Sequence, residues 1–338
     1  MSITIKERST GSDARMNAVV TTRYGSPDVL EVRTVEKPTP GEDEVLVRVN
    51  ATTVGPADSA FRAGRPFLVR AFSGLRRPKS IPGDVFAGEI EAVGNNVTRF
   101  AEGDPVFGTT APDTGAHAEY VCVSEDAALL VKPSNVSDAE AAAVCDGALT
   151  AMGFLRDVAD IQPGQSVLIN GASGSIGTAA VQLAKHFGAE VTGVCSTANV
   201  DLVESLGADS VIDYTETDFT TTERTYDVIF DAVAKRSYSQ CKGSLERGGI
   251  YMSTVPGAAI FLQMAWTKLF GSKRAVFAAT GMKSPTEKLA HLRFLKERLE
   301  AGEFRSVIDR TYPLEEIAEA HRHVDSGHKV GNVVVTME

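Results

Sequence analysis

The chain is poor in what a disulfide framework or a zinc ribbon would need. Its 338 residues include four cysteines. Cys122, Cys145, Cys195 and Cys241 lie far apart, with no C-x-x-C among them. A reducing cytoplasm is the expected compartment for such a chain. No apolar run approaches the ~20 residues needed to span a bilayer. Basic surplus is absent as well: the net charge is −10, which argues against nucleic acid as a partner, since phosphate contacts need a basic face. Residues 1–15 lack the apolar centre of a secretory signal and read as a disordered extension. Neither an internal repeat nor a low-complexity tract interrupts the chain. With 43% hydrophobic and 23% charged residues, it has the composition of a soluble protein long enough for two cores.

What is present centres on one stretch. Ser166 to Asn170 is a short apolar run of the kind found in a strand buried on both faces. Gly171, Gly174 and Gly177 then form a turn with little side-chain bulk, and from Ile176 apolar residues recur at helical spacing. A strand feeding a helix across bare backbone builds an anion site, because the first helical amides lack partners and the dipole favours negative charge there. Ala172-Ser173-Gly174-Ser175-Ile176-Gly177 reads A-x-G-x-x-G, the dinucleotide fingerprint with its first glycine replaced by Ala172. A second strand, Glu190 to Cys195, follows at a suitable distance. The rival is a nucleophile elbow at Ser173, but Gly171-Ala-Ser173-Gly-Ser175 lacks the last glycine of G-x-S-x-G.

From Met16 to about Pro133 the pattern is β-rich. Strands are expected at 17–21, 30–35, 44–50, 86–93, 105–108, 116–123 and 129–132, as a compact, largely antiparallel, barrel-like fold. Ser137 opens a helix with Glu140 three residues on, a capping box. Strands and helices then alternate, with strands expected at 166–170, 190–195, 210–213, 227–232, 249–254 and 275–279. Alternation of this kind predicts an open, doubly wound parallel sheet. Pro285 to Ala301 reads as a helix stopped by Gly302, and Val330 to Thr336 as a strand returning to the first domain.

The pieces Tyr24-Gly-Ser-Pro-Asp-Val-Leu30, Pro40 to Val49, Pro82-Gly-Asp-Val-Phe-Ala-Gly88, Gly115-Ala-His-Ala-Glu-Tyr120 and Leu206-Gly-Ala-Asp209, in this order with the glycine turn, resemble the medium-chain dehydrogenase/reductases. The likeness is to their zinc-free, zeta-crystallin-like quinone oxidoreductase branch. It implies an α/β chain with a GroES-like catalytic domain (16–140 and 285–338) split around a Rossmann NADP-binding domain (141–284). Zinc-bearing members place a catalytic cysteine where Gly55 stands and a histidine–glutamate pair where Asp84 and Val85 stand; Cys145 matches a further zinc position. One thiolate cannot replace a three-ligand site, so no metal is expected. Without a Lewis acid, quinones and α,β-unsaturated carbonyls suit hydride transfer better than simple ketones. Some relatives carry a tyrosine near Asp58. Here Asp58 and Ser59 are the candidates to orient the acceptor oxygen.

The cofactor reading begins at the end of the second Rossmann strand, where an acid would bind a 2′-hydroxyl and repel a 2′-phosphate. Val194-Cys-Ser196-Thr197-Ala-Asn199 has none. Ser196, Thr197 and Asn199 are candidate phosphate donors, which favours NADPH. The resemblance adds Lys185 as a cation and Tyr214 near the phosphate, with Thr150, Thr254, Phe277 and Asn332 on the nicotinamide side. The segment from Arg62 to Lys79, basic and apolar by turns, reads as a solvated loop or a flap over a bulky substrate. The apolar stretch 258–270 is expected to line the substrate pocket or a subunit interface. The strand near Val276 should be an edge, and relatives form homodimers through it. Other open readings are a zinc-free enzyme for another carbonyl or alcohol, and a non-catalytic NADPH-binding protein.

Overall fold

The computed structural model describes residues 15–78 and 81–337. The extension expected at residues 1–15 therefore lies outside the described residues, except for Arg15, which opens a strand. β1 (Arg15–Thr21) and β2 (Leu30–Glu36) form an antiparallel pair. β3 (Glu44–Val54), β4 (Val85–Val93), β5 (Pro105–Thr109), β6 (Tyr120–Ser124) and β7 (Ala128–Val131) build most of a seven-stranded sheet. β3 is its spine. Val45, Val47 and Val49 alternate inward and are buried, while Arg48 points to solvent. They meet Phe86, Ile90, Val106 and Leu129 in one core.

The strand expected from Ala116 begins only at Tyr120. Residues 116–118 bond instead to residues 82–83 and to β1, where Ala118 bridges Ala18. The Ala116 and His117 amides donate to the Gly83 and Pro82 carbonyls, and His117 O accepts from Val19 N–H.

The second sheet comprises β8 (Ser166–Asn170), β9 (Glu190–Cys195), β10 (Ser210–Asp213), β11 (Tyr226–Asp231), β12 (Leu245–Ser253) and β13 (Arg274–Phe277). Its order is β10-β9-β8-β11-β12-β13, all parallel. Val167, Leu168 and Ile169 of β8 are fully buried, as a central strand covered on both faces requires. The helix Ser175–His186 packs Ala180, Val181, Leu183 and Ala184 against it.

The chain then returns. β14 (Ile308–Pro313) pairs with β15 (Asn332–Thr336), and β15 runs antiparallel to β3 with Val333 opposite Val54. This pairing also explains why β3 runs past Asn50 to Val54. The helices Asp138–Ala143 and Pro285–Glu300 both start on complete capping boxes, Ser137/Glu140 and Ser284/Glu287, each contributing about 1 kcal/mol to helix stability. Gly302, in the left-handed region at φ 70°, follows the second helix. The stretch 258–270 is a helix, Ala258–Phe270, lying beside β13. Among the described residues, no helix is long and apolar enough to cross a membrane.

Candidate active site

The turn after β8 is shaped by two glycines. Gly171 sits at φ 82°, a conformation that side chains rarely adopt. A Cβ on Gly177 would lie 2.0 Å from Gly171 O, so the helix can approach the strand only without one. Gly174 is the N-cap, and a Cβ there would meet nothing nearer than Gly171 O at 3.5 Å, which leaves open space over the turn. The first intrahelical bond runs from Thr178 N–H to Gly174 O (2.8 Å). The amides of Ser175, Ile176 and Gly177 precede it and are the ones a pyrophosphate would use. Ala172 is fully buried, its methyl 3.1 Å from where a Cβ on Gly193 of β9 would stand. Gly331 N–H donates to Ser173 O at 2.7 Å, so the C-terminal segment braces the turn.

At the ribose end, Asn199 Nδ2 donates to Ser173 Oγ (3.2 Å) and Ser196 Oγ (3.1 Å), which ties the turn to the end of β9. Thr197 Oγ1 donates to Asp213 Oδ2. Tyr214 is 56% exposed beside it. Lys185 is engaged elsewhere: its ammonium sits 2.8 and 2.9 Å from the two Asp209 oxygens and also donates to Ala189 O. The structure thus gathers Ser173, Ser196, Thr197 and Asn199 and sets Lys185 apart.

The turn abuts a cluster of carboxyls, the candidate catalytic cleft. Gly147 packs so tightly on the helix start that a Cβ would lie 2.4 Å from Ser175 O. Its neighbour Asp146 faces Gly55, where a Cβ would stand 3.1 Å from Asp146 Oδ2. Asp58 caps the helix Pro56–Ala63, accepting from Gly55 N–H at 2.8 Å through Oδ2. Asp84 lies in the fields of both Asp58 and Asp146. Burial above all holds the Asp58 and Asp84 carboxyls well above the usual carboxylate range; at Asp58 the Gly55 amide opposes this and Asp146 adds to it, and at Asp84 the charges of Asp58 and Asp146 add to it. Burial also raises Asp146, against the opposing field of Lys329. The Cys145 thiol is pushed far up by burial and by Asp84 and Asp146, so it stays protonated. Ser59 Oγ is enclosed without a hydrogen-bond partner.

Comparison with known proteins gives this geometry its kinship. The model of the alcohol dehydrogenase GroES-like domain matches residues 41–134, and that of zinc-binding dehydrogenases matches residues 206–335. The chain is 31% identical over 333 residues to the chloroplastic quinone-oxidoreductase homolog of Spinacia oleracea, covering 95% of this chain and 98% of that protein. It is 30% identical over 321 residues to the quinone oxidoreductase of Homo sapiens, covering 92% and 94%. The solved quinone oxidoreductase from Coxiella burnetii superposes with a TM-score of 0.86 at 28% identity, over 96% of this chain and 100% of that one. The chain belongs to the quinone oxidoreductase branch of the medium-chain dehydrogenase/reductases. It is accordingly an oxidoreductase of a pyridine-nucleotide-dependent family, with a GroES-like domain and a Rossmann-like domain.

A zinc ion, named in one of the matched families, does not fit the residues that stand at the family's ligand positions in this chain. Gly55 has no side chain, Asp84 and Val85 offer no imidazole, and the Cys145 thiol resists ionisation. Among the described residues, no group of three or more His, Cys, Asp or Glu is arranged to hold a metal.

Thr254, Phe277 and Asn332, on the nicotinamide side, stand at the ends of elements: Ser253, the residue before Thr254, lies opposite Phe277 in the β12–β13 register, and Asn332 follows Gly331, which bridges to Gly174 of the turn. Thr150 is half-buried one turn beyond Asp146. Thr254 Oγ1 donates to Ala232 O (3.2 Å) beyond β12. Phe277 ends the edge strand, packed edge-on against Phe261 at 5.7 Å. Asn332 donates to Val307 O, leaving its buried Oδ1 unpartnered.

In the basic segment, Arg62 is buried and bonds Asp325 at 2.6 Å, while Phe67 and Leu75 are exposed; Lys79 lies outside the described residues. Sequence reasoning placed Asp84 here only as a lost zinc-ligand position, and it missed Asp146 beside it and Lys329 and Gly331 as neighbours. One signal was available: Asp146 is the only acid in the otherwise apolar run from Ala141 to Ala151.

Proposed function

We propose that this chain transfers a hydride from NADPH to quinones or α,β-unsaturated carbonyls without zinc. The observation that carries the reading is the bare-backbone turn Gly171–Gly177 abutting, through Gly147, the buried carboxyls of Asp146, Asp58 and Asp84, the last at a position where the family resemblance puts a zinc ligand in other members. The relatives named above and the NADPH-dependent alkenal/one oxidoreductase of Arabidopsis thaliana, 30% identical over 341 residues, covering 95% of this chain and 79% of that protein, support the acceptor class.

The amides of Ser175, Ile176 and Gly177 would hold the pyrophosphate, and Ser196, Thr197 and Asn199 would face the adenosine ribose. NADPH, when bound, supplies the hydride. Reducing a conjugated carbonyl also needs a proton. Asp58 keeps Oδ2 on the Gly55 amide, and its other oxygen holds a proton because burial disfavours the ion. Together with Ser59 Oγ, it is the proposed partner of the acceptor oxygen.

The working form is proposed to be a cytoplasmic homodimer. β13 ends the parallel sheet with an open edge, and the adjoining helix Ala258–Phe270 exposes Leu262, Trp266, Leu269 and Phe270. Sedimentation velocity checks this: a dimer is expected, and disruption by Val276→Lys locates it at the edge.

Following NADPH consumption with a panel of quinones, enals and simple ketones tests the activity, with metal content measured on the same sample. Turnover on the first two classes at substoichiometric zinc is the expected result. Nucleotide binding with no turnover on any acceptor contradicts it.

A further inference from the structure

β9 ends without an acid, but its neighbour β10 brings one to the same level. In the parallel register Asp213 stands opposite Cys195, the residue before Ser196. Its carboxylate is fixed from several sides. Thr197 Oγ1 donates to Oδ2. Thr215 donates to Oδ1 through both its amide (2.9 Å) and its hydroxyl (2.7 Å). Thr197 and Thr215 also share a hydroxyl contact at 3.1 Å. These bonds favour the ionised form.

The balancing cation is not there. Lys185 is neutralised by Asp209, and Arg305 donates to Ser205 Oγ at 2.8 Å. Among the described residues, no Lys or Arg hydrogen-bonds to Ser196, Thr197 or Asn199. The ribose end therefore presents neutral donors, Ser196 Oγ and Asn199 Nδ2, with a carboxylate bound directly to the third candidate.

We propose that Asp213 is a specificity-determining residue of the nucleotide site: across Thr197 its carboxylate opposes a phosphate on the adenosine 2′-oxygen and leaves the chain only a shallow preference for NADPH over NADH. It does so without occupying the strand end where the usual ribose-binding acid sits. The inference rests on the glycine turn being the pyrophosphate cradle. A carboxylate and a phosphate several ångströms apart at a solvated surface repel enough to change affinity by about three- to tenfold.

Calorimetric titration of NADPH and NADH tests it. In the unmodified protein the two dissociation constants are expected to differ by less than about tenfold. Asp213→Asn keeps the size and the two bonds that Oδ1 accepts from Thr215, turns Thr197 from donor to acceptor, and removes the charge. It should tighten NADPH about fivefold and leave NADH unchanged. An unchanged ratio, or weaker NADPH binding, overturns the proposal.

Should that variant fold poorly, salt dependence in the unmodified protein decides. Screening relieves repulsion, so rising ionic strength should raise the NADPH-to-NADH affinity ratio, and a ratio that stays put counts against the inference. A falling ratio would reveal a net cationic pocket and overturn the inference. If neither nucleotide binds, the cradle reading itself fails, a different outcome from two nucleotides bound with an unmoved ratio.

Discussion

The turn from Gly171 to Gly177 offers a ligand backbone amides and no side-chain charge. The cleft beside it, around Gly55, offers the carboxyls of Asp58, Asp84 and Asp146 and the thiol of Cys145. The two are joined through Gly147, whose own lack of a Cβ lets the carboxyl-bearing segment touch the helix start. Binding in the turn depends on where the chain can go, and so on the absence of atoms. Chemistry in the cleft depends on which protons are held, and so on burial. A bulky residue should therefore ruin the first, while a change of charge or pH should tune the second.

The largest effect is expected at the turn. Gly177→Val puts carbon where Gly171 O lies 2.0 Å away, and nucleotide affinity should fall at least ~100-fold in calorimetric titration. Retained binding would mean that the turn is not the cradle.

The next effect contrasts the cleft with the histidine pair behind it. His117 is wholly buried, donating from Nε2 to Thr53 O (2.9 Å), with His321 edge-on at 6.3 Å. Burial lowers His117 from 6.5 to about 4 and His321 in the same direction. As pH falls below 6.5 the unfolded chain takes up protons that these folded rings refuse. Stability is thus full above 6.5 and lost towards 4. For His117 the loss is about 2 kcal/mol by pH 5, read from urea midpoints. His321→Leu should flatten part of that slope.

The cleft has the opposite sign. The folded Asp84 carboxyl titrates above its unfolded value, so the protein loses stability as pH rises through that interval. Asp84→Asn should stabilise by roughly 3–4 kcal/mol at pH 8 and by less than half as much at pH 5, because the loss accrues between 3.8 and about 7. Equal effects at both pH values would show that Asp84 is not held protonated.

The smallest effect belongs to Cys145. With its thiol protonated and no metal to bind, Cys145→Ser should change kcat by less than about twofold. Loss of activity would point to a ligand role.

This asymmetry also governs what the sequence discloses. The turn is legible because strain and close approach demand glycine at fixed spacing, and the capping boxes at Ser137 and Ser284 are legible because they are local. The β8–β13 alternation is visible for the same reason: buried central strands need uninterrupted apolar runs. The cleft is different. Gly55, Asp84 and Asp146 are brought together only by the pairing of β3 with β4 and the packing of residues 144–148 beneath them, so their proximity is written in no local pattern. Asp213 is hidden in the same way, since only the β9–β10 register sets it beside Thr197. The false start of β6 at Ala116 arose because Ala116, Ala118 and Tyr120 alternate with His117 and Glu119 at strand period, although the amides of Ala116 and His117 bond to Gly83 and Pro82.

The central claim is hydride transfer to a conjugated acceptor without zinc. Its most direct measurement is a single turnover of chelator-treated protein with an enal and NADPH deuterated at the transferring position, the product being read by mass spectrometry. One deuterium on the product's β-carbon, at a rate unaffected by added zinc, is the predicted result. A product without deuterium, or transfer that appears only when zinc is restored, would contradict the account.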